Sequence, residues 1–168
     1  THIEQAALDR LLGRFEVDGV IVLPVGKEFD HIREVYYKNI PLVVVDRVTA
    51  GLPCPTVYVD NYRGGFEAVN YMIERGHERI ACIQRLPHSW INDERIRGYY
   101  DAYHNNNLCV DDALIIGDQF GLRNGYLETK RLLSAEHRPS ALFALSNIVC
   151  LGALRAIAEQ GLKIPDDI

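Results

Sequence analysis

Short runs of consecutive apolar residues alternate with helix-periodic stretches along the whole chain. The runs that predict strands cover 20–23, 42–45, 56–60, 80–83, 115–116 and 141–145. Because their side chains are apolar at neighbouring positions, such strands are expected to bury both faces of their sheet. Buried strands separated by helices are typical of a parallel sheet covered by helices on both sides. The sequence therefore predicts an α/β fold with parallel sheets flanked by helices.

The stretches between these runs have apolar residues three or four positions apart, which predicts amphipathic helices. The predicted helices cover 2–15, a segment from 29 to just before 41, a segment that ends at 76, the stretch around 96–103, a segment that ends at about 133, and 147–160. Gly76 is a typical left-handed helix end. The connection between strands 42–45 and 56–60 is too short for a crossover helix. Strand 56–60 is therefore expected to be an edge strand or a bridge between two lobes.

Composition and charge narrow the classes of function. The 168 residues are 48% hydrophobic and 24% charged, which is enough apolar material for a packed core. The net charge is −5 and no dense Lys/Arg cluster occurs, so the chain by itself is not a typical nucleic-acid binder. No apolar run approaches membrane-spanning length. Cys82 and Cys150 lie among apolar neighbours and are predicted core residues, and the wide cysteine spacing favours a reducing compartment.

Two strings lie at predicted junctions between elements, VDNYRGG at 59–65 and ERGHERIA at 74–81. The first places Asp60 and Asn61 where a strand ends and a helix begins, which is where ligands lie in open α/β sheets. The two strings resemble the ligand-binding core of the LacI/GalR family of bacterial transcription regulators. Further matches follow the family's order and spacing over nearly the whole chain: VDGVIVLP, LVVVDR, RIRGYYDA, GYLETKRLL, ALFALSN and LGALRAIAEQGLKIPDDI.

The resemblance implies a two-lobed fold like that of type I periplasmic binding proteins, with a sugar-sized ligand between the lobes. Residues 1–60 would then be part of the N-terminal lobe and residues 61–168 most of the C-terminal lobe. The family also has a helix-turn-helix DNA-binding segment, which would precede Thr1, and a further strand, which would follow Ile168. We therefore expect a fragment of a longer regulator, incomplete at both ends, that forms a homodimer.

Two pairs of polar residues follow predicted strands and are candidate ligand contacts. Asp46 and Arg47 end the strand 42–45; a carboxylate can accept two sugar hydroxyls, and a guanidinium is a rigid fork of donors. Alternatively, the carboxylate caps a turn and pairs with the arginine. The matched VDR string favours ligand binding. Asp60 and Asn61 are equally well interpreted as ligand contacts or as caps of the following helix.

Three further candidates lie in the predicted C-terminal lobe. Arg95 matches the arginine of the family's R-x-x-G-[YFW] pattern, which reaches the ligand, and we place it at the start of a helix. A cation in a first helical turn opposes the helix dipole, which favours a functional role over pairing with a nearby carboxylate. Phe120 matches an aromatic position that faces the ligand; alternatively, its ring closes the core of the lobe. Asn147 occupies a position where the family usually has a ligand-binding Asp, so it is a ligand contact or the N-cap of the last helix.

No catalytic or metal-binding motif is found in the sequence. Nucleophile elbows, phosphate-binding loops and pairs of histidines at metal-ligand spacing are lacking, and His31 is predicted to be exposed. The preferred interpretation is a cytoplasmic, non-enzymatic effector-binding region without cofactor, in which a sugar or sugar derivative allosterically controls operator binding. One alternative is a periplasmic sugar-binding protein of the same superfamily. A second is an enzyme built on a Rossmann-like sheet.

Overall fold

The computed structural model describes residues 2–13, 17–24, 29–49 and 51–168. The chain divides into two compact units, residues 1–59 and residues 60–168, and each is described by itself. We call them the N-terminal unit and the C-terminal unit. Their common boundary lies between Val59 and Asp60, next to the point where the sequence predicts that the chain passes from one lobe to the other.

The N-terminal unit contains a parallel three-stranded sheet and two helices. In chain order the elements are α1 (His2–Gly13), β1 (Val20–Val22), α2 (Asp30–Tyr37), β2 (Leu42–Val45) and β3 (Thr56–Val57). The strand order is β1-β2-β3, with Val22 beside Val44 and Val45 beside Val57. Buried side chains from both helices, among them Leu8 of α1 and Ile32 of α2, pack with Val44 of the central strand.

Strand β3 lies at an edge of this sheet, as the short connection before it predicts, but it is shorter than the predicted strand 56–60. Its pairing partner explains the difference. Strand β2 ends at Val45, which is opposite Val57, so residues 58–60 have no strand beside them in the described sheet. The last backbone bond of the pair is donated by Asp46 to the carbonyl of Val57, at 2.8 Å.

The C-terminal unit contains a second parallel three-stranded sheet with helices on both faces. In chain order the elements are α3 (Asn61–Glu74), β4 (Ile80–Ile83), α4 (Trp90–Asn105), β5 (Ile115–Ile116), α5 (Leu122–Leu133), β6 (Ala141–Ala144) and α6 (Asn147–Glu159), with one 3₁₀ turn (Asp112–Leu114) before β5. The strand order is β5-β4-β6, and every residue of β4 is buried. The prediction of parallel sheets flanked by helices is confirmed.

Two apolar clusters cover the two faces of this sheet. Helices α3 and α4 contribute Val69 and Tyr99 to one cluster, where they pack with Cys82 of β4. Helices α5 and α6 contribute Leu132 and Val149 to the other cluster. Helix α3 ends as the sequence predicts: Gly76 has a φ of +90°, and its amide donates to the carbonyl of Ile73.

Two buried tyrosines fix α4 against the beginning of the central strand. The hydroxyl of Tyr99 donates to the carbonyl of Ile80 at 2.8 Å, and the hydroxyl of Tyr103 accepts from the amide of Ile80 at 3.0 Å. Burial raises the pKa of the Tyr99 hydroxyl, so it remains a neutral donor at ordinary pH. Helix α4 therefore runs along β4 in a fixed position, which also fixes its amino end near the carboxyl end of the strand.

Two predictions of burial are wrong. Cys82 is buried as expected, but Cys150 is exposed: it lines an open cavity beside Ala141 and Ala144 of the edge strand β6. His31 is buried rather than exposed, since its ring nitrogen lies 3.0 Å from a carboxylate oxygen of Glu4, across the contact of α2 with α1.

Among the described residues, no helix has both the length and the apolar character that crossing a membrane requires.

Candidate functional site

The carboxyl ends of β4, β5 and β6 form one edge of the C-terminal sheet, because all three strands are parallel. Ligands of open parallel sheets lie beyond this edge. The chain leaves the central strand there through Gln84 and Arg85, leaves β5 through Gly117, and leaves β6 through Leu145. The next elements in the chain after these strand ends are α4, α5 and α6; α4 and α5 begin after short loops. We call this region the C-terminal site edge.

Arg95 connects two elements at the C-terminal site edge. Its Nε donates to Oδ1 of Asn61 at 2.9 Å, and its Nη1 donates to the backbone carbonyl of Leu145, directly after β6. The placement at a helix start is wrong: α4 begins at Trp90, so Arg95 lies in the second turn and the helix-dipole argument does not apply. Its half-buried guanidinium instead has acceptors at the beginning of α3 and the end of β6.

Close packing of α3 on α4 brings Asn61 next to Arg95. A Cβ atom on Gly65 would lie 2.5 Å from the carbonyl oxygen of Arg95, and one on Gly98 would lie 2.3 Å from the carbonyl oxygen of Tyr62. Both distances are far below van der Waals contact, so the two helices require glycine at these crossing points. The glycine of the R-x-x-G pattern therefore allows the helix approach that positions the arginine of the same pattern.

Asp60 and Asn61 have different roles in the structure. Asp60 is the N-cap of α3: its Oδ1 accepts from the amide of Arg63 at 2.9 Å, and the residue is exposed. Asn61 is the first residue of the helix, is 3% exposed and accepts from Arg95. The capping interpretation therefore holds for Asp60, whereas Asn61 belongs to the Arg95 contact.

A set of buried amide side chains fixes the end of the central strand, and the sequence analysis missed it. Asn92 accepts from the amide of Arg85 at 3.3 Å and donates to the side chain of Gln84 at 2.9 Å. Asn124, from α5, donates to the backbone carbonyl of Gln84 at 2.9 Å. Asn92 is 1% exposed, which is unusual for an amide side chain. Its place in the first turn of α4, directly after a strand-end loop, is the only sequence signal that could have revealed it.

Phe120 contacts a residue that the sequence analysis did not select. Its ring is 55% exposed, so it does not close the core of the unit, and the guanidinium carbon of Arg85 lies 4.9 Å from the ring centroid. The loop that contains Phe120 connects β5 to α5 between Gly117 and Gly121, both of which have positive φ angles. A cation over an aromatic ring at this distance is a favourable contact. The edge thus presents an exposed aromatic surface beside a positive charge.

Asn147 lies at the same edge, but it is not the cap of α6. The cap is Ser146, whose hydroxyl accepts from the amide of Val149 at 3.3 Å. Asn147 is the first residue of the helix and is exposed, and its Oδ1 accepts from the amide of Ile148 at 2.9 Å. The capping alternative for Asn147 is therefore wrong, and its side chain faces solvent at the carboxyl end of β6.

Asp46 and Arg47 lie at the corresponding edge of the N-terminal sheet, directly after β2. Asp46 is exposed and has a φ of +70°, a left-handed conformation that Asp tolerates better than most residues. Arg47 is half-buried. A cavity of about 750 Å³ in this unit lies at the opposite edge, around the beginnings of β1 and β2, and its lining includes Val20 and Leu42. Its position at the amino ends of the strands argues against a role as the ligand site.

Within the described ranges, no group of three or more His, Cys, Asp or Glu side chains is arranged to hold a metal ion. The arrangement as a whole consists of amide side chains, two arginines and an aromatic ring around the ends of three strands. Such a set can bind a small polar molecule through hydrogen bonds and ring stacking.

Comparison with known proteins identifies the family. The family model of periplasmic binding proteins and the sugar-binding domain of the LacI family matches residues 1–168. The chain belongs to the LacI family. The transcriptional repressor CytR of Escherichia coli strain K12 is 32% identical over 165 residues, which are 98% of this chain and 48% of the repressor. The chain thus spans about half the length of the curated relatives it matches.

Solved structures of LacI-family proteins have the same fold. A regulatory protein of the family from Chloroflexus aggregans superposes with a TM-score of 0.87 at 27% identity, over 96% of this chain and 58% of that protein. A LacI-family transcriptional regulator from Lactobacillus casei, solved with bound glucose, has a TM-score of 0.81 at 26% identity, over 98% of this chain and 62% of that protein. These matches confirm the predicted family and its periplasmic-binding-protein-like fold.

Proposed function

We propose that this chain is the effector-binding region of a transcription regulator of the LacI family. In the full-length protein a small molecule binds at the carboxyl ends of the parallel strands and changes the affinity of an attached helix-turn-helix segment for operator DNA. The observation that carries the proposal is the position of Arg95. The family's R-x-x-G pattern places this guanidinium at the C-terminal site edge, between Asn61 and the end of β6.

The proposed effector is a sugar or a sugar derivative. Exposed Phe120 offers an apolar ring face, which suits the C–H face of a pyranose or furanose ring. Arg95, Asn61 and Asn147 supply donors and acceptors for hydroxyl groups at the same edge. In the N-terminal unit, Asp46 and Arg47 are the proposed ligand contacts, and Asp60 supports its neighbour Asn61 by capping α3. The glucose in the related L. casei regulator supports a sugar as the ligand class.

The residue ranges of the two units support the proposal that residues 1–60 are part of an N-terminal lobe and residues 61–168 most of a C-terminal lobe. We propose a homodimer that acts in the cytoplasm, where operator DNA is found, and that catalyses no reaction and needs no cofactor. The alternative of a periplasmic sugar-binding protein is disfavoured, because relatives such as CytR are named as transcriptional repressors.

The test uses the full-length regulator and the promoter DNA next to its own gene. Fluorescence anisotropy measures operator affinity with and without members of a panel of sugars and sugar derivatives. We expect at least one compound to change operator affinity, and operator DNA to change the affinity for that compound by the same factor, since the coupling is reciprocal. A compound that binds without any effect on DNA affinity, or a protein that does not bind DNA at all, would contradict the proposed function.

A further inference from the structure

Arg85 is the one residue at the C-terminal site edge that the sequence analysis did not select and that has a donor without an acceptor. It follows the central strand β4 by two residues, and its guanidinium carbon lies 4.9 Å from the centroid of the Phe120 ring. Its Nε is shielded from solvent and has no hydrogen-bond acceptor within the described part of the chain. Because buried donors are nearly always paired in folded proteins, this unpaired Nε is unusual and makes the Arg85 side chain a candidate functional group.

The first two carboxylates that follow Arg85 in the chain do not neutralise it. Asp93 accepts from the backbone amide of His88, and Glu94 pairs with Arg97 at 2.9 Å. Asp118 lies in the same loop as Phe120 but is exposed, and the ion pairs formed by the described residues do not include it or Arg85. The positive charge at the end of the central strand therefore has an aromatic ring beside it and no carboxylate partner in the described structure.

The backbone that presents Arg85 is held in place from two sides. Its amide donates to Oδ1 of buried Asn92, and the preceding residue, Gln84, accepts from the side chains of both Asn92 and Asn124. The guanidinium group of Arg85 lies over the Phe120 ring, which limits how the side chain can move. A donor fork that is positioned before a ligand arrives loses little entropy when it binds. The amides that surround it are neutral and do not repel an anion.

We propose that Arg85 and Phe120 form an anion subsite, so that the effector carries a phosphate or carboxylate group that is bound by the Arg85 guanidinium. This inference rests on the proposed function, because it assigns the chemical class of the effector. Arg85 would donate from its two Nη groups to two oxygens of the anion, in the bidentate geometry that arginine forms with phosphates and carboxylates. The rest of a phosphorylated or carboxylated sugar would then extend toward Asn147 and Arg95.

The experiment compares the full-length regulator with its Arg85→Gln and Arg85→Lys variants by calorimetry and thermal shift. The probes are matched pairs, glucose 6-phosphate with glucose and ribose 5-phosphate with ribose, together with gluconate and inorganic phosphate. Arg97→Gln is the control variant, because Arg97 also lies over an aromatic ring, that of Tyr62 at 4.3 Å, but is paired with Glu94 and exposed. Circular dichroism confirms that each variant is folded.

We expect an anionic probe to bind the wild type and the Arg97→Gln control equally. Arg85→Gln should weaken its binding about ten- to a hundredfold, the usual effect of losing hydrogen bonds between charged groups. Arg85→Lys should recover part of the affinity, since it keeps the charge and loses the fork. If Arg85→Gln weakens the binding of gluconate and the sugar phosphates do not bind, the anion is a carboxylate, and this result would also support the subsite.

Two results would overturn the subsite. One is binding of a neutral sugar that is unchanged by Arg85→Gln, with no preference for its anionic partner; the proposed function would then stand without the subsite. The other is failure of every anionic probe, inorganic phosphate included, to stabilise the wild type more than Arg85→Gln. Conversely, Arg85-dependent anion binding without any effect on operator affinity would support the subsite and contradict the proposed function.

Discussion

The guanidinium of Arg95 donates from Nε to Oδ1 of Asn61 at 2.9 Å and so joins the second turn of α4 to the first residue of α3. Arg95 also donates to the carbonyl of Leu145, directly after β6. One side chain thus connects the end of β6 with the start of α3, where the sequence predicts that the chain passes from one lobe to the other. A ligand that draws Arg95 into new hydrogen bonds would therefore change how the start of α3 is held.

Replacement of Arg95 by alanine in the full-length regulator is expected to weaken effector binding by roughly 1.5–3 kcal/mol, because polar groups of the ligand and of Asn61 lose a charged partner. Operator affinity without effector should stay nearly unchanged. Calorimetry with the effector measures the first quantity and anisotropy the second. Arg97→Ala, on the exposed side of the same helix, is the control and should leave effector affinity unaltered. Equal effector affinity for wild type and Arg95→Ala would show that the assignment is wrong.

Adjacent glycines in α3 provide a matched test of the close helix approach. Gly65→Ala would place a methyl group 2.5 Å from the carbonyl oxygen of Arg95, whereas Gly64→Ala would meet no atom within 4 Å. We expect the first change to destabilise the protein by about 1–3 kcal/mol through overpacking. The second should stabilise it by roughly 0.5–1 kcal/mol, because alanine is the better helix former. Urea unfolding of both variants measures the difference, and similar midpoints would contradict the helix packing.

The order and type of the elements could be predicted from the sequence because each strand is a short apolar run between helix-periodic stretches. The expectation that every strand buries both faces is wrong: β4 is buried at all its residues, but Ile21 of β1 and Val57 of β3 are exposed. The end of β3 could not, since it depends on its partner: the pairing stops where β2 ends at Val45. The exposure of Cys150 was missed for a related reason. Helix α6 is apolar on most of its surface, so its sequence does not show which side faces the sheet.

The candidate site was predictable where a family pattern marks it and not elsewhere. Arg95 was found from the R-x-x-G pattern, but its turn within α4 was misjudged, because the apolar stripe begins at Ile96 whereas the helix begins at Trp90. Arg85 was missed because its contact with Phe120 joins two separate strand ends, and Asn92 because its bonds to Gln84 and Arg85 require the folded loop after β4. A single sequence gives no sign that the loop after β5 places Phe120 beside the end of β4.

Residues 1–168 alone are expected not to bind operator DNA specifically. The net charge of −5 repels phosphates, and the chain spans about half the length of related repressors such as CytR. A gel-shift assay at low salt with the promoter of the regulator's own gene tests this, with the full-length protein as the positive control. Tight, sequence-specific binding by the isolated chain would mean that the DNA-reading surface lies within these residues.

The full-length regulator is expected to be a symmetric dimer, the commonest arrangement of soluble oligomers and the one that the family resemblance implies. Residues 1–168 alone should dimerise more weakly, since they span about half the length of related regulators such as CytR. Sedimentation velocity over a concentration series measures both. A full-length protein that remains monomeric at the highest concentration would count against the proposed assembly.

The two thiols Cys82 and Cys109 are expected to react at very different rates in the native protein. Cys82 lies in β4 with no exposed surface, and burial raises the pKa of its thiol, so the reactive thiolate is scarce and shielded. Cys109 is exposed in the loop after α4. A disulfide reagent at neutral pH should therefore modify Cys109 promptly and Cys82 only at the rate of unfolding.

Mass spectrometry of quenched peptides assigns each site, and Cys109→Ser should remove the fast reaction at that peptide. Equally rapid modification of Cys82 would show that the central strand of the C-terminal sheet is not buried as described.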